Sequence, residues 1–95
     1  DVEEITPELI RKYNLKTRSG VVITQIDSQE IIETGYLQEG DVILQIDRQT
    51  IRNLQDWNAI LPMIEPGDNV ILLVSRRGRT FFVPVEVKSS SLFIP

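Results

Sequence analysis

The residue types that carry out most protein catalysis are absent from this 95-residue chain or lie far apart in it. There is no histidine and no cysteine, which removes the usual general base, the usual metal ligand and any Ser-His-Asp triad. Three consecutive serines, Ser89 to Ser91, have no base near them in sequence, and the acidic residues are scattered. We therefore expect no catalytic residue, no metal site and no cofactor, and the chemistry to look for is binding.

One predicted helix carries a second stripe of side chains beside the stripe that should face the core. Leu54, Asn58 and Leu61 stand at i, i+4 and i+7 and share a stripe of a helix beginning at Leu54. Trp57 and Ile60 form the neighbouring stripe, which should face the core. The Asn58 amide would offer a ligand a donor and an acceptor without charge. Two alternatives stay open: the two leucines belong to the core, and Asn58 is a solvated helix residue.

Local signals define the ends of this helix. Asn53 is a good N-cap, and Asp56 three residues later resembles the acidic partner of a capping box. Pro62 cannot donate a helical hydrogen bond and crowds the preceding turn. We expect the helix to loosen near Leu61.

The amino-terminal part predicts a strand followed by a short helix. The strand covers Asp1 to Ile5. Thr6 is an N-cap candidate and Pro7 suits the first helical position, so a helix should run to about Tyr13.

The rest of the chain is dominated by predicted strands. Val21 to Ile26 and Asp41 to Ile46 are β-branched or apolar runs bounded by turn residues, and Ser28 is a cap candidate for a short helix between them. Asn69 to Val87 has the pattern of a hairpin that turns at Arg77-Gly78. Pro84 within the last strand indicates a sheet edge or a bulge. The predicted order is strand, helix, strand, short helix, strand, helix, strand, strand.

Two polar features have a structural and a functional interpretation. For Gly40-Asp41 we favour architecture over a binding loop: Gly40 supplies an unusual backbone conformation and Asp41 accepts hydrogen bonds from backbone N–H groups. For Arg76, Arg77 and Arg79 we favour a solvated hairpin tip over a docking site for a partner, because exposed charges are ordinary there.

The segment from Gly35 to Ile46 resembles the PDZ family at every fixed position of the pattern Gly-x-Leu-x-x-Gly-Asp-x-Ile-Leu-x-Ile. The front segment "ITPELIRKYNL" and the element order are similar to the circularly permuted PDZ domains of bacterial HtrA-type (Do-like) serine proteases. The resemblance covers Asp1 to about Val87. It implies an α+β fold: a partly open antiparallel β-sandwich or barrel of about five strands, capped by two helices. We expect residues 1–88 to form this domain and residues 89–95 to be a tail or linker.

The resemblance also implies a ligand. PDZ domains bind peptide C-termini as an added β-strand between a sheet edge and a helix. Carried over to this sequence, the groove consists of Asp1, Val2, Glu3, Glu4, Ile5, Leu54, Asn58 and Leu61. The family's carboxylate-binding loop is expected just before Asp1. The implied function is recognition of hydrophobic C-termini or extended segments of unfolded proteins, which regulates or feeds a linked trypsin-like HtrA-type protease domain in the periplasm or bacterial envelope.

Charge and hydropathy narrow the remaining partners. The net charge of −4 disfavours nucleic acid, and no apolar run approaches the ~20 residues of a membrane span, so no direct membrane insertion is expected. We expect a non-catalytic domain whose parent protein is a homo-oligomer. Two alternatives stay open: a PDZ domain of another envelope protease or secretion component, and an oligomer-contact domain whose groove is filled by a tail such as Leu92 to Pro95.

Overall fold

In the computed structural model, residues 2–25 and 37–86 are described, and they form an antiparallel sheet with two helices. The elements are β1 (Val2–Glu4), α1 (Pro7–Tyr13), β2 (Val21–Ile23), β3 (Val42–Ile46), β4 (Gln49–Thr50), α2 (Leu54–Ile60), a 3₁₀ turn (Leu61–Met63), β5 (Asn69–Arg76) and β6 (Arg79–Glu86). The strands lie in the order β1-β2-β3-β5-β6, and β4 pairs with β3 off this path. This confirms the predicted α+β PDZ-like fold. The proposed helix after Ser28 and the tail at 89–95 lie outside the described residues, so the domain boundary at 88 stays a prediction.

The core lies between the sheet and α2. On β5, Val70, Leu72 and Val74 are buried and alternate with more exposed residues, and Val83 and Val85 do the same on β6. The alternation follows from the two faces of a strand, one packed and one solvated. The three residues of β2 are all buried, and Trp57 of α2 packs into the same cluster.

Short-range hydrogen bonds define α1, as the sequence predicted. The Thr6 hydroxyl accepts a hydrogen bond from the Leu9 N–H at 3.2 Å, and Pro7 occupies the first helical turn. At the other end, Asn14 adopts the left-handed conformation (φ 54°), and its N–H donates to the Ile10 carbonyl. Asparagine tolerates this conformation better than most residues, so α1 ends where the sequence places it.

Two tight hairpin turns shape the sheet. Asp47 and Arg48 join β3 to β4, and Arg77 and Gly78 join β5 to β6, and all four residues have positive φ. Consecutive positive φ values match the right-handed twist of a two-residue hairpin. The predicted hairpin at Arg77-Gly78 is confirmed. Among the described strands β6 is the outermost on its side of the sheet, as Pro84 indicated.

The strand predicted for Val21 to Ile26 is shorter than expected, because β2 ends at Ile23. A strand persists only while neighbours supply backbone partners. The pairing with β1 ends at Val2↔Ile23, and the pairing with β3 covers only Val21 and Val22. The two-residue β4 was not predicted, since it exists only through its pairing with β3.

Asp41 ties the start of β3 to the end of β5. Its side chain is 1% exposed, and Oδ2 accepts a hydrogen bond from the Gln38 N–H at 2.8 Å. The Arg76 guanidinium donates to both carboxylate oxygens, each at 2.8 Å. The architectural interpretation of Gly40-Asp41 is confirmed, and Gly40 has φ 93°. The solvated-tip interpretation was wrong for Arg76, whose pKa is raised because the Asp41 carboxylate accepts its hydrogen bonds.

Candidate functional site

The first feature of the site is the open edge of β1. Within the described residues, β1 pairs only with β2, in the register Val2↔Ile23, Glu3↔Val22 and Glu4↔Val21. Its other edge therefore presents backbone N–H and C=O groups that no described strand uses. Such an edge is a template for a further strand.

The second feature is α2, which is anchored by Trp57 and capped by Asn53. Trp57 is 1% exposed and belongs to the core cluster. The Asn53 side-chain oxygen accepts a hydrogen bond from the Asp56 N–H at 2.9 Å, which confirms the predicted N-cap. The capping box differs in its second half, because Asp56 accepts hydrogen bonds from the backbone N–H and Nε of Arg52, at 3.0 and 3.1 Å. These hydrogen bonds lower the pKa of Asp56.

The end of α2 follows from Pro62. The α-helix ends at Ile60 and continues as a 3₁₀ turn over Leu61–Met63, as the proline predicted. The Leu61 N–H still donates to the Trp57 carbonyl, and the Ile64 N–H donates to the Leu61 carbonyl at 3.1 Å. Leu61 therefore stays in register with the helix before it.

A side chain of β1 reaches the start of α2. The Glu4 carboxylate oxygen Oε2 accepts a hydrogen bond from the Leu54 N–H at 3.0 Å. The first N–H groups of a helix have no partner within the helix, so Glu4 satisfies one of them. Val2, Leu54 and Leu61 are partly buried and pack against the core cluster. Together these contacts place β1 beside α2, with apolar side chains of both elements packed against the same core cluster.

The predicted site residues are only partly brought together. Val2, Glu4 and Leu54 lie where β1 meets α2, Asn58 is exposed on α2, and Leu61 packs against the core. Glu3 is exposed and belongs to β1, whereas Asp1 lies outside the described residues. Ile5 lies past the end of β1 and lines a hollow with Pro7, Ile10, Arg11 and Arg18. The assignment of these residues to a groove stays a prediction.

A second concavity lies on β3, β5 and β6 and on the turn that follows β3. It encloses about 520 Å³ and is lined by Gln45, Asp47, Arg48, Ile71 and Phe82. The side chains of Ile71 and Phe82 are 50% and 68% exposed. None of these five residues belongs to β1 or α2, so this hollow is separate from the β1–α2 site. The sequence analysis missed it, although Phe82 in an edge strand was a signal.

Other kinds of site find little support in the described part of the chain. Residues 2–25 and 37–86 contain no group of three or more acidic side chains that could hold a metal ion. None of the described helices has the length and hydropathy needed to cross a membrane.

A small antiparallel sheet with an open edge strand beside a helix defines a class of domain that can accept an added strand. A family model for the PDZ domain matches residues 8–75. The chain belongs to the PDZ domain family.

Curated relatives of the chain include probable periplasmic serine proteases of bacteria. The chain is 30% identical over 86 residues to a probable periplasmic DegP-like serine endoprotease of Rickettsia conorii, covering 87% of this chain and 16% of the relative. It is 31% identical over 77 residues to a probable periplasmic Do/HhoA-like serine protease of Haemophilus influenzae, covering 81% of this chain and 16% of the relative. The chain thus spans about one sixth of these relatives. It is a PDZ domain similar to those of HtrA-type proteases.

Solved structures agree with this assignment. The HtrA-type protease AlgW with a decapeptide superposes with a TM-score of 0.78 at 29% identity, covering 93% of this chain and 27% of that one. The HtrA3 PDZ domain bound to a phage-derived ligand, FGRWV, superposes with a TM-score of 0.70, covering 90% of this chain and 78% of that one. Its identity of 17% supports the fold alone.

Proposed function

We propose that this domain binds hydrophobic peptide C-termini, or extended segments of unfolded proteins, as a strand added to the open edge of β1. The ligand lies between β1 and α2, where Val2, Leu54 and Leu61 supply apolar contacts and Asn58 offers an uncharged polar group. In its parent protein the domain regulates a linked HtrA-type serine protease domain, or feeds substrate to it, in the periplasm.

The observation that carries this proposal is the edge of β1, beside α2, that no strand of the described residues pairs with. An added strand would satisfy the backbone groups of this edge whatever its sequence, and side-chain contacts with α2 would supply selectivity. The bacterial relatives named above are probable periplasmic proteases, and AlgW was solved with a decapeptide. The first fact supports a linked protease domain, and the second supports a peptide ligand.

Peptide titration tests the proposal. Peptides ending in Val, Leu, Ile or Phe with a free carboxylate are titrated into the chain carrying its native upstream residues, and binding is followed by fluorescence anisotropy. We expect saturable binding with a Kd on the order of micromolar, because the interface is small and the peptide must become ordered. Amidation of the peptide C-terminus should weaken binding.

Two variants locate the binding surface. Leu54→Glu places a charge in the proposed groove and should weaken binding about tenfold or more, since an unpaired charge would be desolvated by the peptide. Phe82→Thr, at the far end of the sheet, is the control and should leave the Kd unchanged. Absence of saturable binding by the extended chain, or equal effects of the two variants, would overturn the proposal.

An oligomer-contact role is the second candidate, and the exposed pair Ile71 and Phe82 favours it. Exposed apolar side chains that line a hollow are typical of surfaces that contact another protein. Sedimentation velocity of the wild-type chain and of Phe82→Thr separates this role from free peptide binding. A concentration-dependent dimer that Phe82→Thr abolishes would support it, and a monomer throughout the micromolar range would exclude it.

A further inference from the structure

The Glu4 carboxylate lies at the junction of β1 and α2, on the same side of the strand as Val2. Side chains two residues apart on a strand point to the same face. Val2 packs against the core cluster, and Glu4 reaches the Leu54 N–H, so both point to the face that α2 covers. The Glu3 side chain points to the opposite face of β1. Only one of the two adjacent carboxylates of β1 is therefore directed toward the proposed groove.

The hydrogen bond from the Leu54 N–H holds the Glu4 carboxylate in place and leaves it able to accept further hydrogen bonds. A carboxylate can accept about four hydrogen bonds, and the only hydrogen bond to the Glu4 side chain within the described residues is the one from the Leu54 N–H to Oε2. Oε1 is thus open to a donor. Because one oxygen is already anchored, pairing the other loses less side-chain freedom than pairing an unrestrained glutamate.

No described cation forms an ion pair with this carboxylate, since neither ion pair of the described residues involves Glu4. Arg52, two residues before α2, pairs instead with Asp56, with its Nε 3.1 Å from Asp56 Oδ2. The junction of β1 and α2 therefore carries a carboxylate that no described cationic side chain pairs with.

We propose that Glu4 makes the groove selective for ligands with a lysine or arginine at one position upstream of the C-terminus. This inference rests on the proposed function, because it assumes that the ligand is added along β1. A strand added antiparallel, like every other pair in the described sheet, runs opposite to Val2–Glu4. The ligand residue facing Glu4 then lies two positions N-terminal to the residue facing Val2.

The expected preference is modest and depends on salt. An exposed ion pair stabilises by about 0.2–1 kcal/mol, which corresponds to about 1.5- to fivefold in Kd. The Debye length shortens to about 3 Å at 1 M salt. The preference should therefore fade at high salt, whereas binding through backbone pairing and apolar contacts should persist.

A lysine scan tests the proposal. The probe is a set of alanine-rich peptides of about nine residues that end in a free valine and carry one lysine at successive upstream positions. A matched set carries glutamine instead. We expect one position at which lysine lowers the Kd about 1.5- to fivefold relative to glutamine at low salt. Glu4→Gln should remove the preference at that position, since glutamine can still accept the Leu54 hydrogen bond but has no charge.

The control variant is Glu8→Gln, which removes the same charge from exposed α1 and should keep the preference. A melting temperature of Glu4→Gln below that of the wild-type chain would reveal a folding effect. Glu4→Asp then serves as a second variant, because it keeps the charge. Binding of all peptides with no lysine preference, or a preference that Glu4→Gln retains, would overturn this inference but leave the proposed function standing. Binding by none of the peptides, to the chain with its native upstream residues, would overturn both.

Discussion

The buried pair of Asp41 and Arg76 predicts a large and asymmetric effect on stability. Asp41 is 1% exposed, whereas the Arg76 side chain is 30% exposed. Arg76→Met would leave a buried carboxylate with one remaining hydrogen bond, from the Gln38 N–H. Removing one partner of a buried pair costs about 3–5 kcal/mol.

The reverse change should cost less. In Asp41→Asn the guanidinium keeps access to water, and the loss is mainly that of hydrogen bonds between charged groups, about 2–3 kcal/mol. Arg76 also lies over the Phe81 ring, with its Cζ 4.8 Å from the ring centre, and Arg76→Met removes this contact too. The double variant isolates the pair, and we expect a coupling energy of about 1–3 kcal/mol.

Urea denaturation at neutral pH measures these differences. In thermal unfolding, a loss of 3 kcal/mol corresponds to a decrease in Tm of about 12–24 °C for a domain of this size. Arg79→Met is the matched control: Arg79 pairs with Arg76 across the hairpin but is exposed, so its replacement should change stability by less than about 0.5 kcal/mol. Arg76→Lys keeps the charge and should fall between wild type and Arg76→Met.

Two results would refute this reasoning. One is a loss below about 1 kcal/mol for Arg76→Met, which would mean that Asp41 finds other partners or water. The other is a larger loss for Asp41→Asn than for Arg76→Met, because the argument rests on the different exposure of the two groups.

Three further substitutions test local features by urea denaturation. Asn53→Ala removes the N-cap of α2 and should cost about 1 kcal/mol, and an unchanged midpoint would argue against the cap. Gly40→Ala should cost about 1–3 kcal/mol, because φ is 93° and a Cβ would lie 2.9 Å from Tyr13 Cδ1. An unchanged stability would show that the backbone at residue 40 and the Tyr13 ring both shift to accommodate the added Cβ. Val83→Ala, at 1% exposure, should cost about 1.5–3 kcal/mol, whereas Phe82→Thr, at 68%, should stay within about 0.5 kcal/mol, and equal losses would contradict the burial pattern.

Features set by neighbouring residues could be predicted from the sequence. The cap of α1 at Thr6, the cap of α2 at Asn53 and the 3₁₀ turn at Pro62 each depend on groups within four residues of one another. Helix caps and prolines act through the backbone of the same turn, so no knowledge of the fold is needed. The same holds for the hairpin at Arg77-Gly78.

Contacts between distant residues could not be predicted. Arg76 and Asp41 are 35 positions apart, and Leu54 and Glu4 are 50 apart. Nothing in the sequence near Arg76 separates it from the exposed Arg77 and Arg79. The exposure of the three arginines differs only because the sheet places β5 beside β3. For the candidate site, spacing and family resemblance selected β1 and α2, but the contact between Glu4 and α2 required the fold.

The family motif continues into β3, and β2 separates this strand from β1, whose free edge is the proposed binding edge. β3 pairs with β2 and then β4 along one edge and with β5 along the other, so it has little free edge for a ligand. Instead, the Gly40 N–H donates to the Ile23 carbonyl at 2.7 Å, and the Ile23 N–H donates to the Asp41 carbonyl at 2.8 Å. Ile23 in turn pairs with Val2. The Gly-Asp turn therefore positions β1 through β2, which explains how a segment can define the family without lining the proposed groove.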